Sequence, residues 1–190
     1  MKLLKSKKNL ISIITVLAIL ISTLGCNVFA KSSKKITDKQ AVEISFKAFY
    51  AFDKLFGLGV NGKSIDVEGR EYGKISSKIK SDKAFFAYIE KKTSMGKYYS
   101  KKYENKIVKF LTVIYESNYY MVVGDPEIGV YDLASAKVKS KKYNGKNVTV
   151  TLEGKGDEGK EATTTVVLTY EKNKWVVSNW SELNEGLQMK

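Results

Sequence analysis

The 190-residue chain has no histidine, one cysteine and one proline, and of its 33 basic residues only Arg70 is an arginine. Without histidine there is no Ser-His-Asp or Cys-His relay, no histidine-ligated zinc and no imidazole to move a proton near neutral pH. A single cysteine, Cys26, excludes an internal disulfide framework. The scarcity of arginine counts against nucleic acid as a partner, because the planar guanidinium fork is what reads phosphates and guanine edges bidentately. The net charge of +13 is therefore carried almost entirely by lysine.

What is present begins with an export signal. MKLLKSKKNL carries four lysines, and the apolar run from Leu10 to Leu24 follows. That run is shorter than the ~20 residues that span a bilayer, and small residues succeed it at once. Two processing routes compete. Val28-Phe29-Ala30 is a small-residue cleavage site, which is the favoured route and leads to a secreted, cell-wall-associated protein. Thr23-Leu24-Gly25-Cys26 resembles a lipobox with Thr23 in the place of an aliphatic residue, and its use would acylate Cys26 and anchor the protein to the membrane. Both routes leave the mature chain without a free thiol. The map is then a signal peptide over 1–30, a polar linker over 31–35 and a single domain over 36–190. Without the four leader lysines the mature chain has 29 basic against 20 acidic residues, an excess that serves solubility and loosely attracts anionic cell-wall polymers.

Helices come first along this domain. Thr37 and Gln40 have the spacing of a capping box and Gly57 stands where the helix should end, with Val42, Phe46, Phe49, Leu55 and Phe56 as its apolar face. The glycine-rich stretch from Leu58 to Ser77 reads as a loop with one short strand over 70–75. Helices follow over 81–92 and 100–111, each opened by a serine suited to the N-cap. The rest is β: strands over 112–116 and 119–123 joined at Ser117-Asn118, strands over 136–143 and 146–153 joined at Asn144-Gly145, then 163–170 and 175–180. This order predicts an α+β fold, N-terminal helices packed on a C-terminal antiparallel β-sheet with cystatin-like layering.

Few residues are candidates for chemistry. Asp125, Glu127 and Asp132 are the only acids gathered in a punctuated loop, YYMVVGDPEIGVYD, but a glycosidase pair must face across a sugar and the loop lacks the ligand pattern of a calcium hand. Lys160 of GKGDEGK precedes Glu161 and another strand, which excludes a phosphate-binding P-loop. No catalytic residue, metal site or cofactor is expected. The tyrosines at 98, 99, 103, 115, 119 and 120 cluster where helix gives way to sheet, and half of them are expected in the core.

From Ile36 to Trp180 the chain resembles the IseA (YoeB) family of secreted DL-endopeptidase inhibitors. The resemblance is carried by ITDKQAVEISFKAFYAFDKLFG, REYGKI before KSDKAFFAYIEK, SKKYENKIVKFL running into NYYMVVGDPEIG, and the closing pair TTTVVLTYEKNKWVVSNW. It implies a helical part and a β part framing a cleft with a mobile loop. The implied partner is an NlpC-type cysteine endopeptidase catalytic domain, an autolysin that cuts peptidoglycan stem peptides, inhibited without covalent chemistry. On that reading Pro126 holds Asp125 extended, and Gly124, Asp125, Pro126, Glu127 and Gly129 form a projection flanked by the apolar rings of Tyr119 and Tyr120. The competing expectation is a cystatin-like or NTF2-like binding module that holds a small ligand or wall fragment between helix and sheet, lined by Phe46, Phe49 and tyrosines.

Overall fold

The computed structural model describes residues 34–60, 62–76, 78–124, 132–156 and 159–186. Residues 36–190 form a unit separate from 1–35, and every element below belongs to it.

Helix α1 (Asp38–Phe56) starts at the expected capping box. The Thr37 hydroxyl accepts from the Gln40 amide at 3.2 Å, the Gln40 side chain accepts from the Thr37 amide at 3.0 Å, and Gly57 caps the other end. Of the expected apolar face Leu55 and Phe56 are buried, but the rest of the buried stripe is different. Ala41, Ser45, Ala48, Phe52 and Leu55 recur at steps of three and four and are buried, whereas Phe46 is 40% exposed and Val42 and Phe49 are only partly covered. Small side chains on the inner stripe let the helix lie close to the sheet. Phe46 and Phe49 are thereby displaced to its flanks, while Phe52 and Phe56 remain buried. Ser45 meets the demand of a buried hydroxyl by donating to the Ala41 carbonyl at 2.9 Å.

The glycine-rich stretch forms a hairpin where one strand was expected. Strands β1 (Ser64–Val67) and β2 (Arg70–Lys74) pair antiparallel around Glu68 and Gly69, whose φ of 54° and 77° suit the I′ turn that matches strand twist. Helix α2 (Asp82–Thr93) is capped by the Ser81 hydroxyl, a short 3-10 turn follows (Met95–Lys97), and helix α3 (Lys101–Phe110) is capped by Ser100. Strands β3 (Thr112–Tyr115) and β4 (Asn118–Val122) turn at Glu116-Ser117, one residue before the expected position, because both residues take the left-handed φ, 47° and 58°. The two hairpins join through β2 and β4 in a first antiparallel sheet of order β1-β2-β4-β3. Gly73 makes this possible: a Cβ there would sit 1.9 Å from the Gly59 carbonyl oxygen, so the post-helix loop crosses the sheet backbone against backbone.

The second sheet has the order β5-β6-β7-β8, all antiparallel: β5 (Lys137–Asn144), β6 (Asn147–Lys155), β7 (Glu161–Glu171) and β8 (Lys174–Trp180). The β5–β6 turn is Gly145-Lys146, since the left-handed φ of 58° falls on Gly145 at the first central position, as in a II′ turn. Val148, Val150 and Leu152 of β6 and Thr164, Val166 and Leu168 of β7 alternate onto the buried face. Trp180 is fully buried there, its ring 6.3 Å from Phe49 and its indole N–H donating to the Thr164 hydroxyl at 2.6 Å. The short helix α4 (Ser181–Gly186) closes the corner, where Glu182 accepts from Thr164 and from the Thr165 amide.

Both edges of this sheet are covered in part, as open edges require. Tyr98–Ser100 bridges to β8 through Val177, with bonds of 2.7 and 2.8 Å, and on β5 the Lys141 ammonium donates to the Ile36 carbonyl at 3.0 Å. The α+β class and the packing of N-terminal helices on the C-terminal sheet are thus observed. The sheet woven between the helices adds to that plan.

Candidate functional site

The first half of α1 and the start of β5 enclose a groove of about 580 Å³. Asp38, Lys39, Val42, Glu43 and Phe46 line one wall, and Ala134, Ala136, Lys137 and Val138 the other. Phe46 offers its ring to the opening, while two ion pairs order the rim: Lys141 with Asp38 across the mouth, and Glu43 with Lys47 one helical turn apart. The Lys47 ammonium, by hydrogen bond and charge, draws the Glu43 carboxyl below its ordinary range. Both partners are exposed, so water and salt weaken that pair.

The described residues on either side of the 125–131 stretch are both anchored. Upstream, the Val123 amide donates to the Glu71 carbonyl at 2.9 Å, and Gly124 takes a φ of +148°, a conformation that side-chain-bearing residues rarely adopt. Downstream, Asp132 caps a turn by accepting from the Ser135 amide at 3.3 Å and from its hydroxyl, which lowers the Asp132 pKa. Leu133 and Ala136 then bury themselves and lead into the groove wall. Asp132, weighed in the sequence as one of three loop acids, is thus occupied in holding backbone.

Of the other expected site residues, Asp125, Pro126, Glu127 and Gly129 lie outside the described residues, as does Cys26. Tyr119 and Tyr120 are described, and they require a correction. Both rings are buried, 6% and 4% exposed. Tyr119 stacks on Phe85 at 4.6 Å, and Tyr120 meets Tyr115 edge to face at 6.3 Å. Adjacent strand residues point to opposite faces, and here both faces of β4 are covered, so neither ring is left for a partner. The groove residue that the inhibitor reading of the sequence did not use is Phe46, named there only for the helix face and for the binding-module reading. Its signal was an α1 with more large apolar positions than one stripe can bury.

Tyr99 and Tyr103 join Tyr119 and Tyr120 as the buried members of the tyrosine cluster, whereas Tyr115 is exposed. Among the described residues no group of three or more acidic or sulfur side chains is placed to hold a metal ion. What the groove offers is an apolar floor with a charged rim, suited to seating a protruding side chain of another molecule.

No curated protein sequence matches the chain. The family description IseA DL-endopeptidase inhibitor matches residues 32–182, a span that includes α1, both sheets, the 124–129 segment and every residue lining the groove. The chain therefore belongs to the IseA DL-endopeptidase inhibitor family.

Proposed function

We propose that this protein is a secreted, non-catalytic inhibitor of NlpC-type peptidoglycan DL-endopeptidases, acting as a plug in the active-site groove of the enzyme. The observation that carries this reading is the family match over residues 32–182. It agrees with a chain that has no histidine and only Cys26 as a thiol, because a stopper needs shape and has no use for a nucleophile. In this account the segment from Gly124 to Gly129 projects toward the peptidase, with Pro126 holding Asp125 extended so that Asp125 or Glu127 meets the basic, histidine-bearing side of the catalytic groove. A stiff projection loses less entropy on docking, by ~0.5–1.5 kcal/mol for each side chain already ordered. Phe46 and the floor of the α1–β5 groove supply the apolar contact that Tyr119 and Tyr120 do not.

Export follows from the leader, with release after Ala30 the favoured route and lipidation at Cys26 the other. The lysine excess keeps the protein near anionic wall polymers. A second reading, a binding module for a small ligand or wall fragment, draws on the groove volume of about 580 Å³, which lies within the ~300–1,000 Å³ of small-molecule sites. Against it, Phe52, Leu55, Val150, Val166, Leu168 and Trp180 fill the space between α1 and the sheet, and the groove opens on the outside.

The deciding experiment follows the turbidity of cell walls digested by a purified NlpC-type endopeptidase, with and without this protein. Slowed clearance at stoichiometric amounts is expected. Unimpeded digestion across a panel of such enzymes would remove the inhibitor reading, and release of peptides or sugars by the protein alone would replace it with a hydrolase.

A further inference from the structure

A second, smaller hollow of about 220 Å³ lies between α1 and the turn that leaves α2. On α1 it is lined by Lys47, Tyr50 and Lys54, which the helical period places on one face, and on the turn by Ser94, Lys97 and Tyr98. Ser94 caps α2 in the left-handed conformation, φ 59°, and swings the chain back across α1. The turn is then held from the sheet: the Lys174 ammonium donates to the carbonyls of Gly96 and Lys97, at 3.0 Å each. Three lysines thus line one small concavity whose lining contains no acid. Lys47 is paired with Glu43, but among the described residues neither Lys54 nor Lys97 has a carboxylate partner. The Lys54 ammonium rests instead 4.5 Å above the Tyr50 ring.

Like charges lining one hollow repel one another, and an anion seated among them relieves that repulsion. The chemistry of the anion is narrowed by the side chains. Lysines lack the bidentate fork that arginine brings to carboxylate and phosphate alike, and act as point charges that can approach a tetrahedral phosphate from several directions. The volume is below the ~300–1,000 Å³ of sites that enclose a whole ligand, so it admits one charged group and a short carbon segment. Tyr50 and Tyr98 provide aromatic surface for those carbons.

We infer that this hollow binds a phosphate group carried on a short polyol or sugar, either as a free ester or as one unit of a polyol-phosphate polymer. The hollow shares Phe46 with the α1–β5 groove, but its lysines are not part of that groove and the proposal does not depend on the inhibitor reading.

The test is an NMR titration of the protein with glycerol 3-phosphate, a poly(glycerol phosphate) chain and, for comparison, a glutamate oligomer. Both phosphate ligands are expected to shift resonances centred on Tyr50, Ser94 and Lys97. The double variant Lys54→Ala/Lys97→Ala should weaken binding of glycerol 3-phosphate at least about tenfold, while Lys102→Ala/Lys106→Ala, which removes the same charge from exposed positions of α3, should leave it within about twofold. Tighter binding of the chain per phosphate assigns the polymer as the source, and equal binding assigns the free ester. Equal losses in the two double variants, shifts spread over the lysines at large, or equal affinity for the glutamate oligomer would each overturn the proposal.

Discussion

The Tyr119 hydroxyl donates to the Asp82 carboxylate at 2.6 Å while the Tyr119 ring lies nearly parallel to Phe85, 11° between planes. One tyrosine thereby fastens the first sheet to the opening turn of α2, and does so from the strand that leads into the 124–129 segment. The hydrogen bond to Asp82 raises the Tyr119 phenol above its ordinary range. Replacing Tyr119 by Phe keeps the stack and removes the bond, and should cost about 1–2 kcal/mol in urea unfolding. A change below a few tenths would mean that the bond adds nothing to the docking of α2.

Alkaline pH should unfold the protein through its buried phenols. Tyr99 is fully enclosed and donates to the Ala48 carbonyl at 3.0 Å, and burial pushes its pKa well above 10.0. Burial likewise raises Tyr103, which donates to the Trp180 carbonyl and to Asn184. A phenol raised in the folded state keeps its proton where the unfolded chain releases it. Its contribution is therefore complete below about pH 10 and declines as pH climbs toward the folded value, by up to ~1.4 kcal/mol per pH unit for each tyrosine. Urea midpoints measured from pH 8 to 11.5 should fall above pH 10, and more gently in Tyr99→Phe.

Gly73→Ala tests the crossing of two backbones. The added methyl would collide with the Gly59 carbonyl oxygen at 1.9 Å, and no side-chain rotation relieves a clash with backbone. Destabilisation of about 2 kcal/mol or more is expected, with Gly69→Ala as a comparison in which the new Cβ meets nothing within 4 Å and only the positive φ of 77° opposes it.

Inhibition should separate from stability at the groove. Phe46→Asp alters an exposed ring and should shift the unfolding free energy by less than ~0.5 kcal/mol, yet weaken inhibition of an NlpC-type peptidase about tenfold. Combined replacement of Asp125, Pro126 and Glu127 by Ala should do so at least as strongly. Full inhibition by the triple variant would take the 124–129 segment out of the account, and full inhibition by Phe46→Asp would take out the groove.

Local punctuation was legible wherever the chain alone supplies the hydrogen-bond partner. Thr37, Ser81 and Ser100 each cap the helix they precede, and the Thr/Val alternation of β7 carries its buried face. Turns were legible to within one residue, because Glu116-Ser117 and Gly145-Lys146 are chosen by strand register and twist as well as by residue type. The hairpin of β1 and β2 was half seen, since its short strands are too polar and glycine-rich to show a clear period.

By itself the sequence determined the capped helices, the antiparallel ladder, the family and the absence of histidine. All of these depend on neighbours a few residues apart or on composition. Only the tertiary structure decided that small residues of α1 face the sheet and Phe46 faces outward, that Tyr119 and Tyr120 are buried on opposite faces of β4, and that Lys47, Lys54 and Lys97 meet around one hollow. Those outcomes depend on how closely a helix can approach a sheet and on which surfaces a second sheet covers, and neither distance is written in the spacing of residues along the chain.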